Sequence, residues 1–214
     1  MLPWWVGLGV RWAGDGRRSE LLGEEHTLLS ERAVPRRQLQ FHLGRAAAHD
    51  ALLDGGYYAR PIGRGAKGEP LWPANLVGAI THTGHIAIAA VAPCSCTAGI
   101  GIDLEAISQL SSSIDRLVYT LDEQAWIAAA GDESQARCRR AQLFSAKEAI
   151  FKAVYPASGQ WLDYLDASLR WCATRRAFLA SIPTWRGPTL EIRCQTLGLH
   201  VFTATWLPAA SSRC

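Results

Sequence analysis

The order of helical and extended segments in this 214-residue chain predicts an α+β fold made of two lobes. In the first half one helical segment precedes a group of strands, and in the second half two helical segments precede another group. With 49% apolar and only 19% charged residues, the chain has the composition of a globular protein that buries a full core. The lobes are expected to join near Gly101.

The first half contains one predicted helix, a long loop and three predicted strands. Residues 1–30 have no regular period, and a turn is expected at 11–16. Apolar spacing predicts a helix over 36–53, which two following glycines would end. Residues 60–75 form a glycine- and proline-rich loop, and a loop of that length is typical of a functional segment. The strands are predicted over 77–81, 86–91 and 99–105.

In the second half, two helices are predicted before a group of short strands. Apolar residues at helical spacing indicate helices over 113–130 and 134–154. Pro156 lacks a backbone N–H, and it is expected to stop the second helix. After Gly159 the pattern changes to short strands, over 167–172, 177–182, 190–195 and 199–206.

Charge, cysteine content and the N-terminal residues exclude several classes of protein. A net charge of +3 is too small to predict nucleic-acid binding, which needs a concentrated basic stripe. The six cysteines are scattered and lack the spacing of a zinc site, so reduced, mostly buried thiols are expected. The apolar run 1–10 has no basic residue before it and is too short to span a bilayer, which predicts a soluble, cytoplasmic protein.

Lysine is rare in this chain and lies beside candidate functional residues. Three of the 22 basic residues are lysines, namely Lys67, Lys147 and Lys152. An arginine-rich composition could leave any one of them at its position by chance. A compact ammonium, however, suits contact with a phosphate or transfer of a proton. All three lysines have acidic, glycine or aromatic neighbours.

Two stretches carry carboxylates that could bind a cation. Asp103 and Glu105 alternate with apolar residues on a predicted strand, so they share one face about 6–7 Å apart and could close on one hard cation. Glu148 lies between two of the lysines on a predicted helix. The structural alternatives are a half-buried strand whose acids face water, and a helix cap formed by Ser145 and Glu148.

Three further side chains could bind phosphate groups. His82 follows Thr81 and stands among glycines at a predicted strand end, where the imidazole could donate to a phosphate oxygen. Arg37 and Arg45 lie about two turns apart on one helix and are offset by ~80°, so both could reach one ligand. Taken singly, His82 could equally be a core or surface histidine with satisfied hydrogen bonds, and the two arginines could be solvated surface residues.

Together these residues describe a phosphoryl-transfer site. Three carboxylates would hold Mg²⁺, and the basic side chains would neutralise phosphate oxygens. The chain has neither a Gly-x-x-x-x-Gly-Lys-Ser/Thr loop nor a His-Arg-Asp sequence, which disfavours the common nucleotide hydrolases and kinases.

Four sequence blocks resemble the 4′-phosphopantetheinyl transferases, most closely the enterobactin-synthetase-associated branch. Residues 101–105 (Gly-Ile-Asp-Leu-Glu) are similar to the family's metal-binding strand, and residues 144–153 (Phe-Ser-Ala-Lys-Glu-Ala-Ile-Phe-Lys-Ala) match its helix signature almost letter for letter. Residues 67–73 (Lys-Gly-Glu-Pro-Leu-Trp-Pro) and 80–82 (Ile-Thr-His) are similar to the two blocks that precede that strand. The resemblance departs from the branch at Thr83, where cysteine or serine is common.

The resemblance implies transfer of 4′-phosphopantetheine from coenzyme A to a serine of an acyl or peptidyl carrier protein, with release of adenosine 3′,5′-bisphosphate. It implies Mg²⁺ as the cofactor, bound by Asp103, Glu105 and Glu148. Glu148 would also take the serine proton, and Lys152 would stabilise or protonate the departing phosphate. The other implied coenzyme A contacts are Lys147 on phosphate oxygens, Lys67, Thr81 and His82 around the pyrophosphate or 3′-phosphate, and Arg37 and Arg45 on the 3′-phosphate and adenine.

The resemblance also implies how the protein is organised. The family has two similar α/β lobes related by pseudo-twofold symmetry, with coenzyme A in the cleft between them. Residues 1–101 would form the coenzyme A-binding lobe, and residues 102–214 the lobe with the metal and the catalytic helix. A monomer without nucleic-acid or membrane partners is expected, and the apolar residues around 117–126 are candidates for the carrier-docking surface.

Two other functions are also consistent with these residues. The chain could be a module that binds coenzyme A or a carrier protein without turnover, or an Mg²⁺-dependent phosphohydrolase of small nucleotides. All acids and lysines of the helix signature are present, which argues against a binding module that has lost its activity.

Overall fold

The computed structural model describes residues 2–17, 20–30, 32–187 and 189–209. These residues divide into two units: the second unit is Gly101–Leu207, and the first unit consists of the described residues before and after it. Each unit combines helix with sheet whose assigned strand pairs are antiparallel, so the predicted α+β class is confirmed.

One long helix and a three-stranded sheet form the first unit. Strands β1, β5 and β4 pair antiparallel in that order, and β2 pairs with β3 as a separate ribbon inside the predicted loop. Alanine and leucine side chains of α1 pack against β5, and Ala47, Leu52 and Val91 are fully buried. The elements are β1 (Gly7–Trp12), α1 (Pro35–Asp54), β2 (Gly63–Arg64), β3 (Pro70–Leu71), β4 (Leu76–Thr83) and β5 (Ile86–Pro93).

The N-terminal segment corrects one expectation, because β1 is a strand within the stretch predicted to be irregular. Its inward positions include Gly7 and Gly9, so the apolar alternation that identifies a strand is missing. A Cβ on Gly9 would lie 2.0 Å from the carbonyl oxygen of Ala47. Glycine is therefore required where the α1 backbone approaches the strand, and the turn begins only at Ala13.

A five-stranded sheet and three helices form the second unit. The strand order is β6-β10-β9-β8-β7, and the pairs from β7 to β10 are antiparallel. All five strands were predicted within a few residues of their observed bounds. The elements are β6 (Thr97–Ala106), α2 (Asp115–Val118), α3 (Leu121–Ala128), α4 (Glu133–Ser158), β7 (Ser168–Cys172), β8 (Ala177–Ser181), β9 (Leu190–Leu197) and β10 (His200–Pro208).

The single helix predicted over 113–130 is wrong, because this stretch contains two helices. Tyr119 is extended, and Thr120 caps α3: its hydroxyl accepts from the N–H of Glu123, whose side chain accepts from the N–H of Thr120. This reciprocal cap satisfies two backbone donors at the helix start. The capping-box sequence from Thr120 to Glu123 lies inside the apolar period, and it is the signal that would have predicted a second helix start.

Pro156 does not stop α4, contrary to the prediction, since the helix continues to Ser158. The missing N–H of a proline removes one bond of the helical ladder. In the last turn that loss is small, and Gly159, at φ 69°, ends the helix in the left-handed conformation.

Gly101 lets α4 pack directly on β6. A Cβ at this position would lie 1.8 Å from the carbonyl oxygen of Ala149 and 2.8 Å from the amide nitrogen of Ala153. The backbone contact brings the side chains that follow Gly101 on the strand close to those around Ala149 on the helix. Glycine at position 101 is therefore required for the packing of α4 on β6, in addition to its place in the motif that carries Asp103 and Glu105.

The variant Gly101→Ala is expected to unfold at lower urea concentration than the parent chain, with a loss of roughly 1–3 kcal/mol, because α4 must move away from the strand. Gly131→Ala is the matched control, since its Cβ would meet nothing closer than 3.4 Å. Equal midpoints for both variants would contradict the packing role of Gly101.

Two other expectations concern membranes and cysteines. Among the described helices, none is long and apolar enough to cross a bilayer. The described cysteines carry free thiols, as expected, but they are not mostly buried: Cys94 is exposed and the other four are half-buried. Cys214 lies outside the described residues.

Candidate active site

Four charged side chains come together in the second unit where α4 crosses β6, and we call them the acidic cluster: Asp103, Glu105, Glu148 and Lys152. The Nζ of Lys152 lies 2.7 Å from Oδ1 of Asp103, whose residue is only 3% exposed. Glu105 and Glu148 are half-buried. The cluster therefore has both a protected interior and access to solvent.

The electrostatics show that these groups act on one another. Burial and the nearby charges of Asp103 and Glu148 raise the pKa of Glu105 to about 7, with Lys152 opposing them. Burial disfavours the charged ammonium of Lys152, but the three carboxylates outweigh burial and raise its pKa. Three acids thus share a single ammonium, and negative charge is in excess.

The donor set of this cluster suits a hard divalent cation. Carboxylate oxygens are the preferred protein ligands of Mg²⁺, and excess negative charge favours a cation. In the arrangement of the described residues, no group of three or more Asp, Glu, His or Cys side chains is shaped to hold a metal ion. Lys152 contacts Asp103 instead, so the three-carboxylate metal site stays a prediction that fits the chemistry of the donors.

Tyr164 is the residue of this site that the sequence reasoning missed. Its hydroxyl donates to Oε1 of Glu148 at 2.5 Å, and its ring stacks on Phe144 with a centroid distance of 5.4 Å. Burial and this hydrogen bond raise the pKa of the phenol, so it stays a donor. Only the conformation of the turn that follows α4 brings it back to the helix.

Lys147 has protein partners. Its ammonium lies 2.8 Å from Oε2 of Glu123 and donates at 2.7 Å to the carbonyl oxygens of Tyr164 and Ala167. The side chain is 2% exposed, and burial lowers its pKa although Glu123 opposes the shift. These three oxygens use the three donors of the ammonium. A phosphate oxygen would have to replace one of them, so the phosphate contact implied for Lys147 stays a prediction.

A cavity of about 210 Å³ adjoins Glu148 within the second unit. Its walls come from α4 and from the segment that follows it, and they include Phe151, Trp161 and Tyr164. The cavity is mostly apolar with a carboxylate at one side, which is the usual character of a pocket for a flexible organic group.

In the first unit, basic side chains of α1 lie near the end of β4. The Nη1 of Arg37 is 3.4 Å from Nε2 of His82, and Arg37 is exposed. Arg45 is buried instead: it donates to the carbonyl of Gly63, lies over the Phe41 ring, and has its Nε 3.8 Å from Glu25. Burial lowers the pKa of Arg45 against the attraction of Glu25, and the nearby guanidinium groups of Arg64 and Arg37 lower it further.

The other two predicted binding residues differ in exposure. Lys67 is exposed in the turn between β2 and β3, where its backbone N–H donates to Glu69. Thr81 is buried on β4, one residue before His82. Arg64 was missed by the sequence reasoning, although it lies in the same glycine-rich loop as Lys67.

Comparison with known proteins gives matches over both units. The family model "4′-phosphopantetheinyl transferase N-terminal domain" matches residues 24–92, and the model "4′-phosphopantetheinyl transferase superfamily" matches residues 99–205. The 4′-phosphopantetheinyl transferase Svp of Streptomyces mobaraensis is 36% identical over 149 residues, which are 70% of this chain and 61% of that protein. The chain thus spans about three fifths of that relative's length.

A second relative and one solved structure also match part of this chain. Enterobactin synthase component D of Escherichia coli (strain K12) is 34% identical over 148 residues, 68% of each chain. A holo-(acyl-carrier-protein) synthase from Bacillus anthracis str. Ames, solved in complex with CoA (3′,5′-ADP), is 20% identical with a TM-score of 0.46 over 54% of this chain and 99% of that one. Because the superfamily model covers half of this chain and the Escherichia coli relative is matched over two thirds of its length, the chain belongs to the 4′-phosphopantetheinyl transferase superfamily.

Proposed function

We propose that this protein transfers 4′-phosphopantetheine from coenzyme A to a serine of an acyl or peptidyl carrier protein, and that it releases adenosine 3′,5′-bisphosphate. The observation that carries the proposal is the acidic cluster, in which three carboxylates from two elements share the ammonium of Lys152. Such a set of opposite charges suits a reaction in which negative charge moves from one phosphate oxygen to another. Family membership supports the same reaction.

In the proposed reaction the serine oxygen attacks the phosphorus atom on the pantetheine side of the diphosphate. The bond from that phosphorus to the bridging oxygen breaks, and its electron pair stays on the departing adenosine bisphosphate. Glu148 takes the serine proton. Lys152 offsets the charge that develops on the departing phosphate.

We propose that Asp103, Glu105 and Glu148 hold Mg²⁺, which when bound would supply positive charge at the diphosphate. The excess of carboxylate over ammonium in the cluster supports this assignment, as does the raised pKa of Glu105. Removal of divalent cations with a chelator is expected to stop the transfer, and added Mg²⁺ to restore it.

Each unit, taken by itself, carries side chains that suit a part of coenzyme A. The cavity beside Glu148 suits the pantetheine arm, a flexible chain of methylene and amide groups. Arg37, Arg64 and Lys67 are exposed cations of the first unit, and His82 adjoins Arg37, so we assign them to the phosphates of coenzyme A. Arg45 is buried and donates to the carbonyl oxygen of Gly63, so it would support the coenzyme A site by positioning that backbone.

Incubation of apo-carrier proteins with coenzyme A and Mg²⁺ tests the proposal. The expected result is a carrier whose mass increases by one phosphopantetheine arm. An unchanged mass with fatty-acid, polyketide and nonribosomal-peptide carriers would favour the binding module. Phosphate release from coenzyme A in the absence of a carrier would favour the phosphohydrolase.

The variant Arg37→Ala is expected to raise the KM for coenzyme A by about 10- to 100-fold, because a charge-assisted contact contributes about 1.5–3 kcal/mol. Its free energy of unfolding should stay near that of the parent chain, since Arg37 is exposed. Arg36→Ala, the exposed neighbour on another helix face, is the matched control. An unchanged KM in Arg37→Ala would remove this residue from the coenzyme A site. Arg45→Ala is a poorer test, because it also leaves Glu25 buried without that charge.

A further inference from the structure

The hydroxyl of Tyr164 contacts Glu148, one of the carboxylates of the acidic cluster. The phenol hydroxyl donates to Oε1, one of the two oxygens of the Glu148 carboxylate. A hydrogen bond to a charged acceptor is short and directional, so it limits rotation of the carboxylate. The other oxygen is then left to interact with the reacting groups.

A buried ion pair holds the segment that carries Tyr164. The ammonium of Lys147, one residue before Glu148, binds the backbone carbonyls of Tyr164 and Ala167. Glu123 binds that ammonium from α3 and also accepts from the N–H of Leu169, at the start of β7. Hydrogen bonds therefore hold the turn at 164–166 at its start and just after its end. The side chains of the pair Lys147–Glu123 are almost fully buried.

We propose that Tyr164 is a positioning residue: it holds the Glu148 carboxylate for the transfer step, and the Lys147–Glu123 pair holds Tyr164 in place. The proposal rests on the proposed function, because it assigns Glu148 to that reaction. It also gives Lys147 a role in orienting Glu148, through the contacts of its ammonium with the segment that carries Tyr164.

The alternative is that Tyr164 serves only to pack. Its ring stacks on Phe144 and lines the cavity, and a phenylalanine at the same position would keep both contacts. Tyr164→Phe therefore removes the hydroxyl alone. Tyr155→Phe is the matched control, because Tyr155 lies in the last turns of α4 and its ring stacks on Phe151 with a centroid distance of 5.3 Å.

Steady-state transfer to an apo-carrier with Mg²⁺ present is the first measurement. We expect Tyr164→Phe to lower kcat by roughly 10- to 100-fold, the usual effect of removing a partner that orients a functional ligand. The KM for coenzyme A should change by less than about twofold, since the ring and the cavity wall remain. Tyr155→Phe should keep the parent kcat. A Tyr164→Phe enzyme with the parent kcat would overturn the proposal, and so would an equal loss in both variants.

Urea unfolding of Tyr164→Phe, Glu148→Ala and the double variant is the second measurement, and it does not depend on activity. We expect Tyr164→Phe to lower the midpoint in the parent background and to leave it unchanged in the Glu148→Ala background, because the hydroxyl then has no carboxylate to hold. Equal shifts in both backgrounds would overturn the contact. A parent chain that transfers nothing, together with this non-additive unfolding, would refute the proposed function and leave the Tyr164–Glu148 contact standing.

Discussion

Glu148→Gln is expected to lower kcat for carrier modification by about 10²- to 10⁴-fold, the range for loss of a general base. The substitution keeps the shape of the side chain and an oxygen for Tyr164, but it removes the charge that is proposed to take the serine proton. Because the shape and the acceptor oxygen are kept and Glu148 is only half-buried, the free energy of unfolding should change little. The measurements are the mass of the carrier over time and the urea midpoint.

Glu133→Gln is the matched control, because Glu133 lies on the same helix with a side chain that is 67% exposed. It should retain the parent kcat. Near-parent turnover by Glu148→Gln would refute the assignment of the base. Asp103→Ala is a less clear test than Glu148→Gln, since it would leave the ammonium of Lys152 without its nearest carboxylate and so weaken the fold.

Lys147→Met is expected to lower the free energy of unfolding by about 3–5 kcal/mol, the usual effect of removing one partner of a buried ion pair. The side chain of Glu123 is 0% exposed, so its charge would remain buried without the ammonium. The carbonyls of Tyr164 and Ala167 would also lose a donor. Urea unfolding followed by circular dichroism measures the change.

Lys67→Met serves as the control, since this lysine is exposed and its replacement should change stability by less than about 0.5 kcal/mol. A Lys147→Met protein as stable as the Lys67→Met protein would contradict the structural role of the ion pair. In that case the predicted phosphate contact would become the better account of Lys147.

Most elements of the fold could be predicted because their signals are local. The apolar period of α1, the strands β4 to β10, and α4 were found from spacing and from glycine or proline positions. Strand β1 was missed because Gly7 and Gly9 replace the apolar side chains that would mark its inner face. Side chains are excluded there because the backbone of α1 at Ala47 approaches the strand too closely. That contact joins residues far apart in the chain.

The acidic residues of the candidate site could also be found in the sequence. Asp103 and Glu105 had to share a strand face because side chains alternate, and Glu148 and Lys152 had to share a helix face because they are four residues apart. The sequence could not indicate that Lys152 would lie 2.7 Å from Asp103. That distance depends on Gly101, whose missing side chain allows α4 to contact β6.

The amino-acid order alone determined the α+β class, the family, and the acidic and basic residues of the candidate site, because short-range periods and motifs carry that information. Tertiary packing decided which ammonium faces a carboxylate and which is enclosed by protein oxygens: Lys147 and Lys152 lie five residues apart on one helix, yet they point to different surroundings. It also brought Tyr164 to Glu148. Contacts of this kind depend on how a turn folds back and how closely two backbones approach, and no local pattern encodes either distance.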